Sequence, residues 1–429
     1  HVCVAAGAVG VATLDGFTLT RGVTRNASGS TQVFVNGIPV DRFNGGGMII
    51  ANSSPTINNC IFTANVASSG GGMYTVVSSP TINNSSFTNN FVLSSGGGLF
   101  NHNAIPKITN CIFSGNKGTG SGGGLVNNAN SNATIKQSYF TGNTAGSFGG
   151  GIFNNGSSPT IANCVIAGNN TTLTGAVGGG GIGNITFSSP TIINTTIASN
   201  KCAGNGGGVF NTGSSNPNFK NCIVYGNTGI SAAAIANSAS TPVVSYSMIE
   251  GGFTGTGNIS GTPAFINAVS AASAPTITGD YHLLDCSAGV DAGDSTLLPA
   301  GTTKDIDSIQ RVKFYNVDMG AYEAQTSAIY GIATTAGILY VDKTKSGNGS
   351  SWASALTELG DALKAAKNNS SISQIWVAKG TYLPKYEGAN LGCAASGVNR
   401  DNSFVLVNNV KLFGGFAGGE TLSSQANPT

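Results

Sequence analysis

The densest run of acids in this chain of 429 residues lies between Asp280 and Glu323. Within it, Asp291, Asp294, Asp305 and Asp307 are the carboxylates whose type and spacing could hold a hard cation, since calcium takes six to eight oxygen ligands. The dense ligand spacing of an EF-hand loop is missing. In the competing and expected reading, Arg311 pairs with Asp318 or Glu323, and the segment closes off a strand edge that would otherwise recruit another chain. Outside this run, His102 in Phe100-Asn101-His102-Asn103 reads as a loop histidine rather than a base. From Phe43 to Ile249 there is no Asp or Glu at all, and five lysines and His102 are the ionisable side chains apart from tyrosine and cysteine. Polysaccharide lyases and hydrolases work through carboxylates as acid, base, nucleophile or metal ligand, so this stretch cannot supply that chemistry. No catalytic residue and no cofactor are assigned.

The element that must position these groups is a repeat. Apolar anchors recur at Ile57, Ile82, Ile108, Ile135, Ile161, Ile192 and Phe219, at intervals of 25 to 31 residues, with looser relatives at Leu14 and Val244. Five places beyond the anchors stand Phe62, Phe87, Phe113, Phe140, Ile166, Ile197 and Val224; three further on stand Asn65, Asn90, Asn116, Asn143, Asn169, Asn200 and Asn227. A period of this length without helical patterning marks a repeat architecture. If each period is one coil of short parallel strands, identical residues lie over one another about 4.8 Å apart. The aromatic column then forms a core stripe and the asparagines a hydrogen-bonded ladder, expected at a turn with left-handed backbone. Triple glycines such as 70–72 and 96–98 suit crowded corners. The fold class that explains these columns together is all-β: a right-handed parallel β-helix of about 26 residues per coil.

Composition agrees with a solenoid. Charged residues make up 8% of the chain, Gly counts 64, and the formal charge is +2, which gives no basic stripe for nucleic acid. No run of about 20 apolar residues spans a membrane. Cys60, Cys111, Cys164 and Cys222 share one column two coils apart, so they lie about 9 to 10 Å from one another, beyond the reach of a disulfide. They should be free thiols. Cys3, Cys202, Cys286 and Cys393 remain, and the sequence leaves their pairing open.

Three domains follow in order. Residues 1–326 form the β-helix, with an insertion at 23–44 read as a solvated loop and a closing segment at about 280–323. Residues 327–337 are small and weakly patterned, a linker. Residues 338–429 begin a new unit: strands at Leu339-Tyr340-Val341, Ile375 to Ala378, Phe404 to Val407 and Val410 to Phe416, with a helix over 355–367 capped by Ser354.

Phe-Thr-Ala-Asn, Phe-Thr-Asn-Asn and Phe-Ser-Gly-Asn, paired with Gly-Gly-Gly-aliphatic, resemble the repeats of polymorphic outer-membrane adhesins. Tyr281-His282-Leu283, the Asp291 to Asp294 turn, Asp305-Ile306-Asp307 with Arg311, and Asp318 to Glu323 resemble the closing segments of bacterial surface β-helix proteins of the choice-of-anchor Q type. Residues 339–420, with Gly-Asn-Gly-Ser-Ser-Trp and Phe-Gly-Gly-Phe-Ala-Gly-Gly-Glu, are similar to the opening segments of that group. The resemblance implies display outside the cell, with copies of the unit or adjacent units joined end to end, and possible contact with surface glycans. The resulting expectation is a non-enzymatic structural or adhesive unit of a cell-surface fibre, with residues 338–429 covering residues 1–22 of a following unit. The alternative is a carbohydrate-active or glycan-binding protein, a polysaccharide lyase or hydrolase if an enzyme, with its site at the closing segment.

Overall fold

The computed structural model describes residues 2–7, 12–24, 31–175, 177–284, 286–313, 316–324, 336–386 and 402–427. Each period yields strands of only two to four residues, because left-handed residues break the run at fixed places. One such place follows the anchor: Asn59, Asn84, Asn110, Gln137, Asn163, Asn194 and Asn221 have φ between 46° and 53°, a region that Asn enters more readily than most side chains. Among the described residues the strands stack into three parallel sheets of nine strands each and a fourth of six short strands. Sheet A runs from Cys3–Ala6 to Ile235–Ser238, sheet B from Thr13–Asp15 to Val243–Ser245, and sheet C from Thr18–Thr20 to Met248–Ile249. The chain is a parallel β-helix.

Register is in phase with the repeat: Ile57 pairs with Ile82, Ile82 with Ile108, Ile108 with Ile135 and Ile135 with Ile161. The turn at Asn59 resets the side-chain parity, so Ile57, Cys60 and Phe62 all point inward while Thr56, Ile61 and Thr63 point outward. Phe62, Phe87, Phe113 and Phe140 stack with centroids 4.7, 4.7 and 4.6 Å apart. Burying each ring contributes about 1.5–3 kcal/mol. Cys60, Cys111, Cys164 and Cys222 are buried free thiols, and burial pushes Cys111, Cys164 and Cys222 up to about 12, so they serve as small core residues. Cys3 and Cys202 are also free, Cys286 is disulfide-bonded, and Cys393 lies outside the described residues.

The asparagine ladder runs through the wall. Asn90 Nδ2 donates to Asn116 Oδ1 at 2.9 Å and Asn116 Nδ2 to Asn143 Oδ1 at 2.9 Å, while each Oδ1 also accepts the backbone N–H of the preceding Asn. These asparagines do not carry the left-handed angles expected of them. The residue before each does instead, at Ala64, Asn89, Gly115, Gly142, Gly168, Ser199 and Gly226, because the ladder amide must turn inward to bridge the corner. The glycine triplets pack against it: a Cβ on Gly98 would sit 2.6 Å from Gly124 O and 3.2 Å from Asn116 Nδ2.

The insertion is not a solvated loop throughout. Gln32–Val35 and Ile38–Asp41 form an antiparallel hairpin, and Val33, Val35, Ile38 and Val40 pack on Ala6, Ile49 and Ala51; residues 25–30 lie outside the description. His102 ends the strand Leu99–His102 and meets Asn128 Nδ2 at 3.0 Å, so it is a strand residue in a polar row.

Beyond the linker, most of which lies outside the described residues, Ile338–Val341, Gln374–Ala378 and Lys411–Phe416 form a parallel three-stranded sheet. The helix spans Leu359–Asn368 and starts later than its sequence suggests. Leu356 is held instead by backbone bonds to Tyr340 and Asp342, so Ser354 caps nothing. Phe404 and Val407 pack on this segment's core without forming a strand.

Candidate functional site on the covered wall

Sheet C presents an outward face whose two halves differ. From Tyr139 to Met248 the chain beyond Glu250 folds back over it. On one rim, Gln137 Nε2 donates to Asp305 O at 2.9 Å, Asn163 Nδ2 to Lys304 O at 3.1 Å and Asn221 Nδ2 to Asp294 O at 3.0 Å. Along the other rim, Ser199 Oγ donates to Val269 O, and Thr276 N–H bonds Gly168 O at 2.9 Å. Asp280–Leu283 crosses between them, where Tyr281 packs with Val165 and Ala198 and Leu283 with Ile223 and Met248. Val165, Thr196 and Ile223 are each 1% exposed beneath this cover, whereas Ile61 and Ile112 on the uncovered half are 44% and 45% exposed.

The cover is organised on a buried charge. Arg311 is fully buried and donates to the carbonyls of Ala321, Asp318 and Gly320 at 3.0, 3.0 and 2.6 Å. Asn194, its amide oxygen turned toward the guanidinium, accepts from Nε at 2.9 Å. Asp318 and Glu323 were expected to pair with Arg311. Each instead accepts backbone N–H groups, Asp318 from Asp291 and Ala324, Glu323 from Lys313 and Asp318, and they balance the guanidinium charge from nearby. Burial, and after it a neighbouring carboxyl, Asp291 for Asp318 and Asp318 for Glu323, holds both above their ordinary range, with Arg311 and the N–H bonds pulling the other way.

The four calcium candidates are dispersed. Asp291 is buried and accepts from Asn316 N, Asp294 caps the turn Ser295–Leu297, and Asp305 accepts from the backbone of Asp307, Ile309 and Glu323. Asp307 faces His282. Among the described residues no group of three or more His, Cys, Asp and Glu side chains is arranged to hold a metal ion.

The solvent-reaching chemistry belongs to His282. Its Nδ1 lies 2.5 Å from Asp280 Oδ1 and its Nε2 2.6 Å from Asp307 Oδ2, while Tyr139 Oη, on the coil wall, bonds Asp307 Oδ1 at 3.1 Å. Burial alone would depress the imidazole, but the two carboxylates outweigh it and hold His282 above its ordinary value. Asp280 is likewise raised by burial and lowered more by His282, ending below its ordinary value. With both nitrogens engaged, the ring is an imidazolium clamp rather than a poised base. Sequence reasoning passed over His282 and Tyr139, since their partners lie 25 and 168 positions away; the signal was the acid two places before the histidine. A groove of about 360 Å³ opens beside them, lined by Ile112, Tyr139, Tyr281 and Tyr322 among others. A larger one of about 840 Å³ runs under residues 262–271. Its one carboxylate, Glu250, accepts from Gly226 N.

The terminal segment is not bare. Lys364 Nζ, on the helix face, donates to Ser287 O of the cover at 2.9 Å. Burial lowers Lys364 to about 8, with Asp291 and Asp318 pulling the other way.

Residues 99–264 match a family model described as a right handed beta helix region. The fold is therefore a right-handed parallel β-helix. Among solved structures, the crystal structure of pectate lyase Pel9A is similar at 14% identity and TM-score 0.37, covering 66% of this chain and 69% of that one. No curated protein matches the chain.

Proposed function

We propose that this chain is a non-enzymatic, extracellular structural or adhesive β-solenoid unit, joined end to end with adjacent units. The carrying observation is the buried joint at Lys364. The α/β segment, whose three parallel strands begin a second stack, is fastened to the cover that lies over sheet C of the first. Two consecutive units held this way form a stiff rod rather than beads on a flexible linker. The wall from Phe43 to Ile249 carries no carboxylate, and those of Asp291, Asp305, Asp318 and Glu323 are buried and committed to backbone N–H groups. A disulfide at Cys286 suits an oxidising compartment. No helix of the described residues is long and apolar enough to cross a membrane. In the assembled fibre, residues 338–429 would cover residues 1–22 of the next unit. A chain truncated at residue 330 should keep its coils and lose assembly; intact fibres from it refute the joint.

One observation favours a second reading, a glycan-binding site at the cover. Asp280, His282, Asp307 and Tyr139 reach solvent beside a groove lined by tyrosines. Screening neutral and acidic polysaccharides for binding and cleavage, with and without calcium, separates the two.

A further inference from the structure

The wall from Phe43 to Ile249 carries lysines at 107, 117, 136, 201 and 220 and no acid. Three of them stand on one face. Lys107, Lys136 and Lys220 are outward residues of Lys107–Thr109, Thr134–Lys136 and Asn218–Lys220 in sheet B. Four coil steps separate the first of these strands from the last, about 19 Å at roughly 4.8 Å each. Lys107 lies in register beside Thr134, and the row runs on through Thr160, Thr191 and Asn218, all half-exposed. The cover adds a fourth ammonium group. The bonds from Gln137 to Asp305 O and from Asn163 to Lys304 O hold residues 301–304 over this edge of the sheet. Between them opens a slot of about 200 Å³, lined by Lys136, Gln137, Asn163, Thr302, Thr303 and Lys304 among others, with no carboxylate in its lining. Among the described residues none of these four lysines is in an ion pair. Asp305, next in the chain, is buried and taken up by backbone N–H groups, and Asp307 is held by His282.

We propose that this face of sheet B binds a linear uronic-acid polysaccharide, with the slot between Lys136 and Lys304 as its anchoring subsite. Charge selects the occupant: ammonium groups with no carboxylate among them attract an anion and disfavour a cation. The threonine row supplies hydroxyls that both donate and accept, which suits a carboxylate and the ring hydroxyls beside it. A chain lying along the solenoid axis meets one such side chain per coil, with lysines at both ends of the row. Nucleic acid fits this face less well. A duplex carries one charge per roughly 1.7 Å, far denser than four lysines can answer. Single strands call for aromatic side chains on which bases stack, and the outward positions of sheet B carry none. The slot shares no residue with the groove beside His282, and the face stands whether or not the units join end to end.

The test uses the full chain and fluorescently labelled hexagalacturonate as the probe, followed by anisotropy at low salt. Saturable binding is expected, weakening as salt screens the lysines and lost when the probe is fully methyl-esterified. Lys136→Gln/Lys304→Gln together should weaken it about tenfold, and Lys107→Gln or Lys220→Gln about threefold each, the range of partly exposed charge pairs. Lys117→Gln/Lys201→Gln, which removes the two lysines of the six-stranded sheet, should leave it unchanged. Circular dichroism checks that these substitutions leave the fold intact. No saturable binding, equal binding of the methyl ester, or a loss in the Lys117/Lys201 variant as large as in the slot variant overturns the proposal. So does a DNA oligonucleotide of equal length that binds this face more tightly than the uronate.

Discussion

Asn116→Ala removes the middle rung of the ladder. Its Oδ1 accepts from Asn90 N at 3.1 Å and Asn90 Nδ2 at 2.9 Å, and its Nδ2 donates to Phe87 O at 2.8 Å and Asn143 Oδ1 at 2.9 Å, all buried. Asn90 Nδ2 keeps Phe62 O and Asn143 Oδ1 keeps the Asn116 backbone. Asn90 N–H is left with no acceptor in its place. A stranded buried donor costs about 1–3 kcal/mol and each further lost bond about 0.5–1.5 kcal/mol, so the substitution should destabilise by about 3–5 kcal/mol. Urea unfolding followed by circular dichroism reads it as a shift in midpoint at constant slope. Asn128→Ala, in a half-buried outer row with His102 and Asn155, is the control and should cost under about 1 kcal/mol. A loss at Asn116 no larger than at Asn128 would refute the claim that the inner ladder, rather than packing alone, holds the coils in register.

Phe113→Ala opens the aromatic column between Phe87 and Phe140 and should cost about 3–5 kcal/mol by the same assay. Gly98→Ala drives a Cβ to 2.6 Å from Gly124 O, so it should fail to fold or lose protection in the adjoining coils, as limited proteolysis would show. The His282 clamp has a raised imidazole and a lowered Asp280. Its contribution is thus full below the ordinary histidine value and lost as pH rises through the raised one, and lost again in acid through the lowered carboxyl value. Hydrogen exchange at residues 280–283 should be slowest in the window between. Lys364, lowered to about 8, binds a proton in the free chain that it releases when docked between pH 8 and its ordinary value. The joint should therefore tighten as pH rises through that window, and exchange across 359–368 reads this directly.

The columns were legible because stacking places each residue on its own copy, so Ile57, Phe62 and Asn65 announce themselves by period alone. The left-handed site was misplaced by one residue, since Asn89 and Asn90 are chemically alike and only the inward turn of the ladder amide separates them. Leu356 fits the helical spacing of Leu359 and Leu363, yet its main chain is claimed by Tyr340 and Asp342, a tertiary preference that periodicity does not carry. The segment at 280–323 was expected to close off a strand edge; it lies instead over the outward face of sheet C, and its chemistry was not legible. Asp307 meets Tyr139 across 168 positions, and the choice of backbone N–H groups over a direct pair with Arg311 depends on how the loop folds back.

Electron microscopy of the purified chain at high concentration tests the central claim most directly. The account predicts stiff filaments with an axial repeat near one unit, nine coils at about 4.8 Å plus the closing and opening segments. Single short rods at every concentration, with cleavage of a polysaccharide in solution, would contradict it.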